Sequence, residues 1–263
     1  MVLAIDIGNT NIVIGCIGDD GTVFKERIYT DLKKTAVEYA ISLKILLDLY
    51  SVDTSEITGG ILSSSVPPVT PVMRRAAEKV ICREMMVVGP GVKTGLDIKI
   101  DDPGQLGPDL AVGAVAGIAQ YGAPLIVVDM GTATTVMVVN EKRQVIGGMI
   151  MPGVDVSLEG MSLRTSYLPK ISVEPPKKLI GSNTIDCMKS GVIYGNAACI
   201  DGVVARIREE MQADMPAVAT GGMANRIIPY CKEKIVIDDE LSLKGLKLIY
   251  DRNMRQERKL LQK

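Results

Sequence analysis

The sequence predicts an α/β protein built from two similar halves, and two stretches of its 263 residues carry that expectation. The first is Asp6-Ile7-Gly8-Asn9-Thr10-Asn11, set between the apolar runs Val2-Leu3-Ala4-Ile5 and Ile12-Val13-Ile14-Gly15-Cys16-Ile17. Two short β-type runs joined by Gly, Asn and Thr read as a hairpin. The second is Asp129-Met130-Gly131-Thr132-Ala133-Thr134-Thr135, set between Leu125-Ile126-Val127-Val128 and Val136-Met137-Val138-Val139. One Asp-x-Gly turn of this kind is a weak signal, but two at strand ends, about half a chain apart, are a strong one.

In order, the first half reads as βββ-α-β-α-β. After the hairpin, Thr22-Val23-Phe24 opens a polar strand toward Thr30. From about Thr35 to Tyr50, Val37, Ala40, Ile41, Leu43, Ile45, Leu46 and Leu49 recur with helical period, predicting an amphipathic helix packed on the sheet. Gly59 to Val66 reads as a strand stopped by Pro67-Pro68, followed by a helix over about 71–81 and a strand over 84–88. A polar loop from Asp97 to Gly107 leads into the small-residue helix Ala111 to Ala119. The second half repeats the scheme with a strand over 145–151, a helix over 154–162, a Pro- and Lys-containing loop to Lys178, and helices over 185–198 and 200–211. Ala217-Val218-Ala219 forms a strand ending in Thr220-Gly221-Gly222, and a charged helix over 242–261 closes the chain. The expected domains are 1–118 and 119–263, the terminal helix being free to pack back on the first.

Composition narrows the function. Lys+Arg number 30 against Asp+Glu 31, so no basic excess points to nucleic acid or an anionic membrane. No run reaches the roughly 20 apolar residues of a membrane span, and no basic n-region precedes the first strand, so the expected location is cytoplasmic. The 5 cysteines lack Cys-x-x-Cys spacing, which disfavours a disulfide framework or a zinc site. Histidine is absent, which removes Ser-His-Asp and Cys-His chemistry and leaves Asp, Glu, Lys, Tyr or Cys as general base. Aromatic residues are only 3%, too few for base-stacking platforms.

A small anionic ligand fits better. A hairpin turn can aim backbone N–H groups at an anion, a carboxylate before it can hold the water shell of Mg²⁺, and Thr10 and Asn11 offer neutral donors to phosphoryl oxygens. Two such halves can face each other across one nucleotide; the alternative is a pair of ordinary hairpins with no ligand. Asp109, in Gly107-Pro108-Asp109-Leu110, is either a capping aspartate or, set between two phosphate-type turns, a candidate base. Ser63, Ser64 and Ser65 have no activating base in the sequence and read as a strand end. Thr184 is either a helix-start residue or a substrate contact.

Together these features resemble the actin, sugar-kinase and heat-shock ATPase arrangement: two ribonuclease-H-like (actin-like ATPase) domains facing each other across a nucleotide cleft. More narrowly, the chain resembles the type III pantothenate kinases over nearly its whole length. The motifs that carry this are Asp6-Ile7-Gly8-Asn9-Thr10-Asn11, Gly107-x-Asp109, Asp129-x-Gly131-Thr132-Ala133-Thr134, Gly147-Gly148 with Pro152-Gly153, Gly181-x-Asn183-Thr184 and Ser190-Gly191. The resemblance implies ATP-dependent phosphorylation of the primary hydroxyl of pantothenate, the first step toward coenzyme A. It implies ATP contacts at Asp6, Ile7, Gly8, Asn9, Thr10, Asn11, Ile12, Val13 and Thr132, and the carboxylate suited to Mg²⁺ on the reading above is Asp6. It implies a proton acceptor at Asp109, a monovalent cation, K⁺ or NH₄⁺, at Asp129, and pantothenate contacts at Gly107, Pro108, Asp109, Leu110 and Thr184. It also implies a homodimer with the pantothenate pocket close to the subunit interface.

Two positions depart from the family pattern. Leu110 stands where an Arg commonly follows the aspartate, and Ile100 where a Tyr often precedes the segment Asp101-Asp102-Pro103. An Arg there would pair with the pantothenate carboxylate, a role that passes to another basic residue such as Arg164 or goes unfilled. These positions leave room for another small-molecule kinase of the superfamily, and a nucleotide-regulated binding protein is the alternative of a different class, since the fold that the chain resembles also serves chaperones and cytoskeletal ATPases.

Overall fold

A computed structural model describes residues 1–261, with side chains through Glu257. In the first part of the chain the elements are β1 (Val2–Ile7), β2 (Asn11–Ile17), β3 (Thr22–Tyr29), α1 (Ala36–Leu49), β4 (Gly59–Ser64), α2 (Thr70–Ile81), β5 (Met85–Val87), β6 (Asp97–Ile98) and α3 (Pro108–Tyr121). Then follow β7 (Leu125–Met130), β8 (Ala133–Val139), β9 (Gln144–Pro152), α4 (Val154–Arg164), α5 (Thr184–Met211), β10 (Ala217–Thr220), α6 (Ala224–Ile227), β11 (Ile235–Ile237) and α7 (Leu241–Leu261).

The chain divides into two compact units. One comprises Met1–Leu96, Asp102–Ala116 and the chain from Glu240 on; the other comprises Asp97–Asp101 and Gly117–Asp239. The first unit holds a sheet of order β3-β2-β1-β4-β5, in which β1, β2 and β3 are antiparallel neighbours and β4 and β5 run parallel to β1. The second holds β9-β8-β7-β10-β11 in the same order and the same sense, with β6 added at the β9 edge. The same topology is thus built twice, once around each Asp-x-Gly hairpin, as the repeated motif requires.

Strand β1 is central and buried on both faces, so it reads as an almost unbroken apolar run. Leu3, Ile5 and Ile7 pack with Tyr39, Leu43 and Leu47 of α1 and Met73, Ala76 and Ala77 of α2. Val2 and Ala4 point the other way, to Val112 and Val115 of α3 and Leu243, Leu246 and Ile249 of α7. Each such fully buried aliphatic side chain contributes roughly 1.5–3 kcal/mol. α7 lies close enough to α3 that a Cβ on Gly245 would sit 2.1 Å from the Val112 carbonyl oxygen. Gly245→Ala is therefore expected to force backbone apart and lower stability by about 1–3 kcal/mol; a denaturant midpoint equal to wild type would refute this.

Three local differences from the sequence reading have clear causes. α1 begins as expected at Thr35, which caps it through a reciprocal box with Glu38. Its buried stripe, however, is Tyr39, Ala40, Leu43 and Leu47, while Val37, Ile41, Ile45 and Leu49 are each more than half exposed. The helix carries apolar residues on two sides, and periodicity alone does not choose between them. The helices expected over 185–198 and 200–211 are one, α5, whose buried stripe Ile193, Ala197, Ile200 and Val204 runs with helical spacing straight through the expected break. β6 and β11 were not expected; at two and three residues they are too short to show a period.

Candidate active site

In the first unit, the turn after β1 closes with the Gly8 N–H donating to the Asn11 carbonyl at 3.0 Å. The end of β3 pins it: Thr30 donates its N–H to the Thr10 carbonyl at 3.0 Å and its hydroxyl to the Gly8 carbonyl at 2.6 Å. Asn9 and Thr10 are exposed at the tip, whereas the side chains of Ile7 and Ile12 are fully buried in the core. Those two isoleucines can meet a ligand only through their backbone.

Asp6 faces the α3 and α7 side of the sheet. Its cross-strand neighbour on β4, Ser63, is completely buried and donates its hydroxyl to the carboxylate at 2.5 Å. The residue keeps some exposed surface, yet surrounding protein crowds the carboxyl group and pushes its pKa up to about 6. Burial is the main cause; the negative charge of Asp109 adds to it, while hydrogen bonds from Ser63 and Ser242 and the charge of Arg27 oppose it. Asp6 and Asp109 are thus electrostatic neighbours within one unit. Asp109 lies in the first turn of α3, and its Oδ1 comes within 2.4 Å of where a Cβ on Gly107 would stand. The glycine leaves room for the carboxylate to fold back over the loop. Pro108 is the first residue of that helix, a position that loses no hydrogen bond to its missing N–H, and Leu110 is half-buried in its first turn.

The second unit repeats the construction around Asp129, which pairs with Thr135 on β8 and Thr220 on β10. Ser63 and Thr220 therefore occupy corresponding places beside the two aspartates. The turn closes with Gly131 N–H donating to the Ala133 carbonyl at 3.0 Å, and Gly153 at the start of α4 donates to the Thr132 carbonyl at 3.2 Å. A Cβ on Gly153 would lie 2.2 Å from that carbonyl oxygen, so no other residue lets α4 approach so closely. Gly221, at φ +96°, would bring a Cβ to 2.5 Å from the Asp129 carboxylate and 2.6 Å from the Met130 carbonyl. Thr184 is the exposed first residue of α5; the cap is Asn183, whose side chain accepts from the Asp186 N–H at 2.9 Å.

Residues 2–206 match the family model described as type III pantothenate kinase. The chain belongs to the type III pantothenate kinase family. A type III pantothenate kinase of Halalkalibacterium halodurans is 44% identical over 254 residues, covering 97% of this chain and all of that protein. One from an Exiguobacterium species is 45% identical over 255 residues, with 97% of this chain and 100% of the relative covered. Among solved structures, a candidate 2-dehydro-3-deoxygalactonokinase from Sinorhizobium meliloti superposes with a TM-score of 0.61 at 14% identity, covering 95% of this chain and 96% of that one. The activator of 2-hydroxyisocaproyl-CoA dehydratase from Clostridium difficile, solved with bound ADPNP, gives 0.54 at 12% identity, with 98% and 97% covered. At such identities the structural likeness concerns the fold, which is that of the sugar kinases and actin-like ATPases.

As a type III pantothenate kinase the chain carries Asp6, Asp109, Asp129, Thr132 and Thr184 inside the matched span, while the Gly221 turn lies beyond it. Sequence reasoning left out Ser63, Ser242 and Arg27. A serine at a strand end and another at a helix start carry no motif, and the register that sets Ser63 beside Asp6 depends on β4 pairing with β1, 57 residues away.

Proposed function

We propose that this kinase moves the terminal phosphoryl group of ATP to the primary hydroxyl of pantothenate, giving 4′-phosphopantothenate, the first step of coenzyme A synthesis. The hydroxyl oxygen bonds to the γ-phosphorus, the bond from that phosphorus to ADP breaks, and the proton passes to Asp109. The observation that carries this reading is the electrostatic proximity of Asp109 to Asp6 at the first hairpin, in a chain whose family is defined by this activity. Phosphoryl transfer asks for positioning and charge neutralisation rather than covalent chemistry by the protein, so a placed carboxylate without histidine is sufficient. ATP contacts are assigned to Asp6 through Val13 and to Thr132, and pantothenate contacts to Gly107 through Leu110 and to Thr184.

Oxygen donors at both turns suit hard cations. No group of three or more His, Cys, Asp or Glu gathers among the described residues. This fits Mg²⁺, which is commonly held by one or two carboxylates together with substrate phosphates and water, and Asp6 is the carboxylate assigned to it. Mg²⁺ neutralises phosphate charge when bound. Asp129 is assigned the monovalent cation, with the Met130 carbonyl oxygen near the same Gly221 position. Replacing K⁺ by Na⁺ is then expected to lower turnover severalfold, and equal rates in the two salts would remove Asp129 from that role.

A homodimer is proposed from the family resemblance; in the second unit Ile150, Leu163, Tyr167 and Ile180 each stand largely in solvent. No described helix is long and apolar enough to cross a membrane, and the proposed place of action is the cytoplasm. The two domains are proposed to divide the work, 1–118, with the terminal helix packed back on it, bearing the base and the rest of 119–263 the second turn. Leu110 and Ile100 favour a second reading, another small-molecule kinase whose acceptor lacks a carboxylate. A coupled ADP-release assay against pantothenate and a panel of sugars and short acids separates the two: release with pantothenate alone supports the first, and release only with an uncharged alcohol overturns it.

A further inference from the structure

The pairing register sets four side chains in one row on the sheet face that α3 and α7 cover: Arg27 on β3, Val13 on β2, Asp6 on β1 and Ser63 on β4. Directly opposed residues on neighbouring strands point to the same side, and two strand spacings put the Arg27 and Asp6 backbones about 10 Å apart. An arginine side chain spans most of that distance, and the charge of Arg27 does act on the Asp6 carboxylate. Tyr29, two residues on, is exposed on the same face beside Asn11 of the hairpin. Lys25, two residues back, already has a partner. Arg27 is exposed, and no hydrogen bond or salt bridge engages its guanidinium among the described residues.

A planar, permanently charged guanidinium with five donors is suited to phosphate and carboxylate oxygens. The site needs such a group. It gathers the charges of Asp6 and Asp109, and the residue that follows Asp109 on α3 is the uncharged Leu110. We infer that Arg27 is an oxyanion-binding residue of this site, pairing with a phosphate oxygen of ATP or with the carboxylate of an acidic acceptor. This rests on ATP being held at the Asp6 hairpin, and it adds a cation on the sheet that α3 does not provide.

The two sources are told apart with Arg27→Met and Arg27→Lys. Thermal midpoints are measured without ligand and with MgATP or MgADP, and steady-state rates with pantothenate and with its primary amide. The ligand-free midpoint of Arg27→Lys should not move, since no hydrogen bond is lost and the charge that acts on Asp6 is kept, and that of Arg27→Met should move little, since the side chain is exposed. If the oxyanion is phosphate, Arg27→Met weakens MgATP binding by about tenfold or more and Lys restores part of it. If it is the acceptor carboxylate, MgATP binding holds while KM for the acid rises by about tenfold and KM for the amide stays put. The ATP measurement needs no acceptor, so it remains readable even if pantothenate is not the substrate. MgATP affinity and acid KM both within about twofold of wild type would overturn the inference, as would a ligand-free midpoint that falls as far as the liganded one. Unchanged MgATP affinity in a protein that phosphorylates no acid in the panel would also overturn it.

Discussion

Asp109→Asn is expected to lower kcat by about 10²–10⁴-fold, the usual range for loss of a general base, while MgATP continues to raise the melting temperature as in wild type. Asn keeps the size of the side chain and remains acceptable at a helix start, so the first turn of α3 should form unchanged. What disappears is the only group assigned to take the hydroxyl proton. Gly107→Ala approaches the same point with the carboxylate still present. Its Cβ would fall 2.4 Å from the Asp109 Oδ1, so the carboxylate must turn away and kcat must drop even though the base is chemically intact. Turnover of Asp109→Asn within a few-fold of wild type would dismiss this residue from the reaction.

Asp6→Asn is expected to make the ligand-free protein more stable at pH 8 while abolishing its stabilisation by MgATP. The sign follows from where the proton sits. Unfolded, this carboxyl group ionises near its ordinary value of 3.8; folded, it holds its proton until about pH 6. Between those values the unfolded chain is the one that has released the proton, so the residue's contribution to folding falls as pH rises and is fully lost above about 6. Roughly two pH units correspond to about 2–3 kcal/mol, an amount Asn would restore at pH 8 but not at pH 4. Asn also still accepts the Ser63 hydroxyl. Chemical denaturation of both proteins across that range, without nucleotide, reads the difference; a variant no more stable than wild type at pH 8 would count against the crowded carboxylate. Such a cost at rest is what a site shaped for a cation and a polyphosphate should show.

Much of this was legible from residues in order. The apolar runs flanking Asp6 and Asp129 are local, and so are the Gly, Asn and Thr between them; both hairpins, the start of α1 near Thr35 and the placement of Asp109 in the first turn of α3 follow from neighbours within a few positions. Other features depend on chain segments far apart. The exposed stripe of α1 and its buried one are equally apolar, and only packing against Ile5, Ile7 and α2 selects Tyr39, Leu43 and Leu47. The terminal helix joins the first unit because Leu243, Leu246 and Ile249 complete the core under Val2 and Ala4.

By itself, then, the order of residues determined the doubled strand pattern, the two aspartate turns and the family, because turn chemistry and a two-residue alternation act over short stretches. Only the tertiary structure decided which side chains surround Asp6. Ser63, Arg27, Asp109 and Ser242 come from four separate segments, and their influence on one carboxylate exists only once β-pairing and helix packing have brought them together around a crowded Asp6.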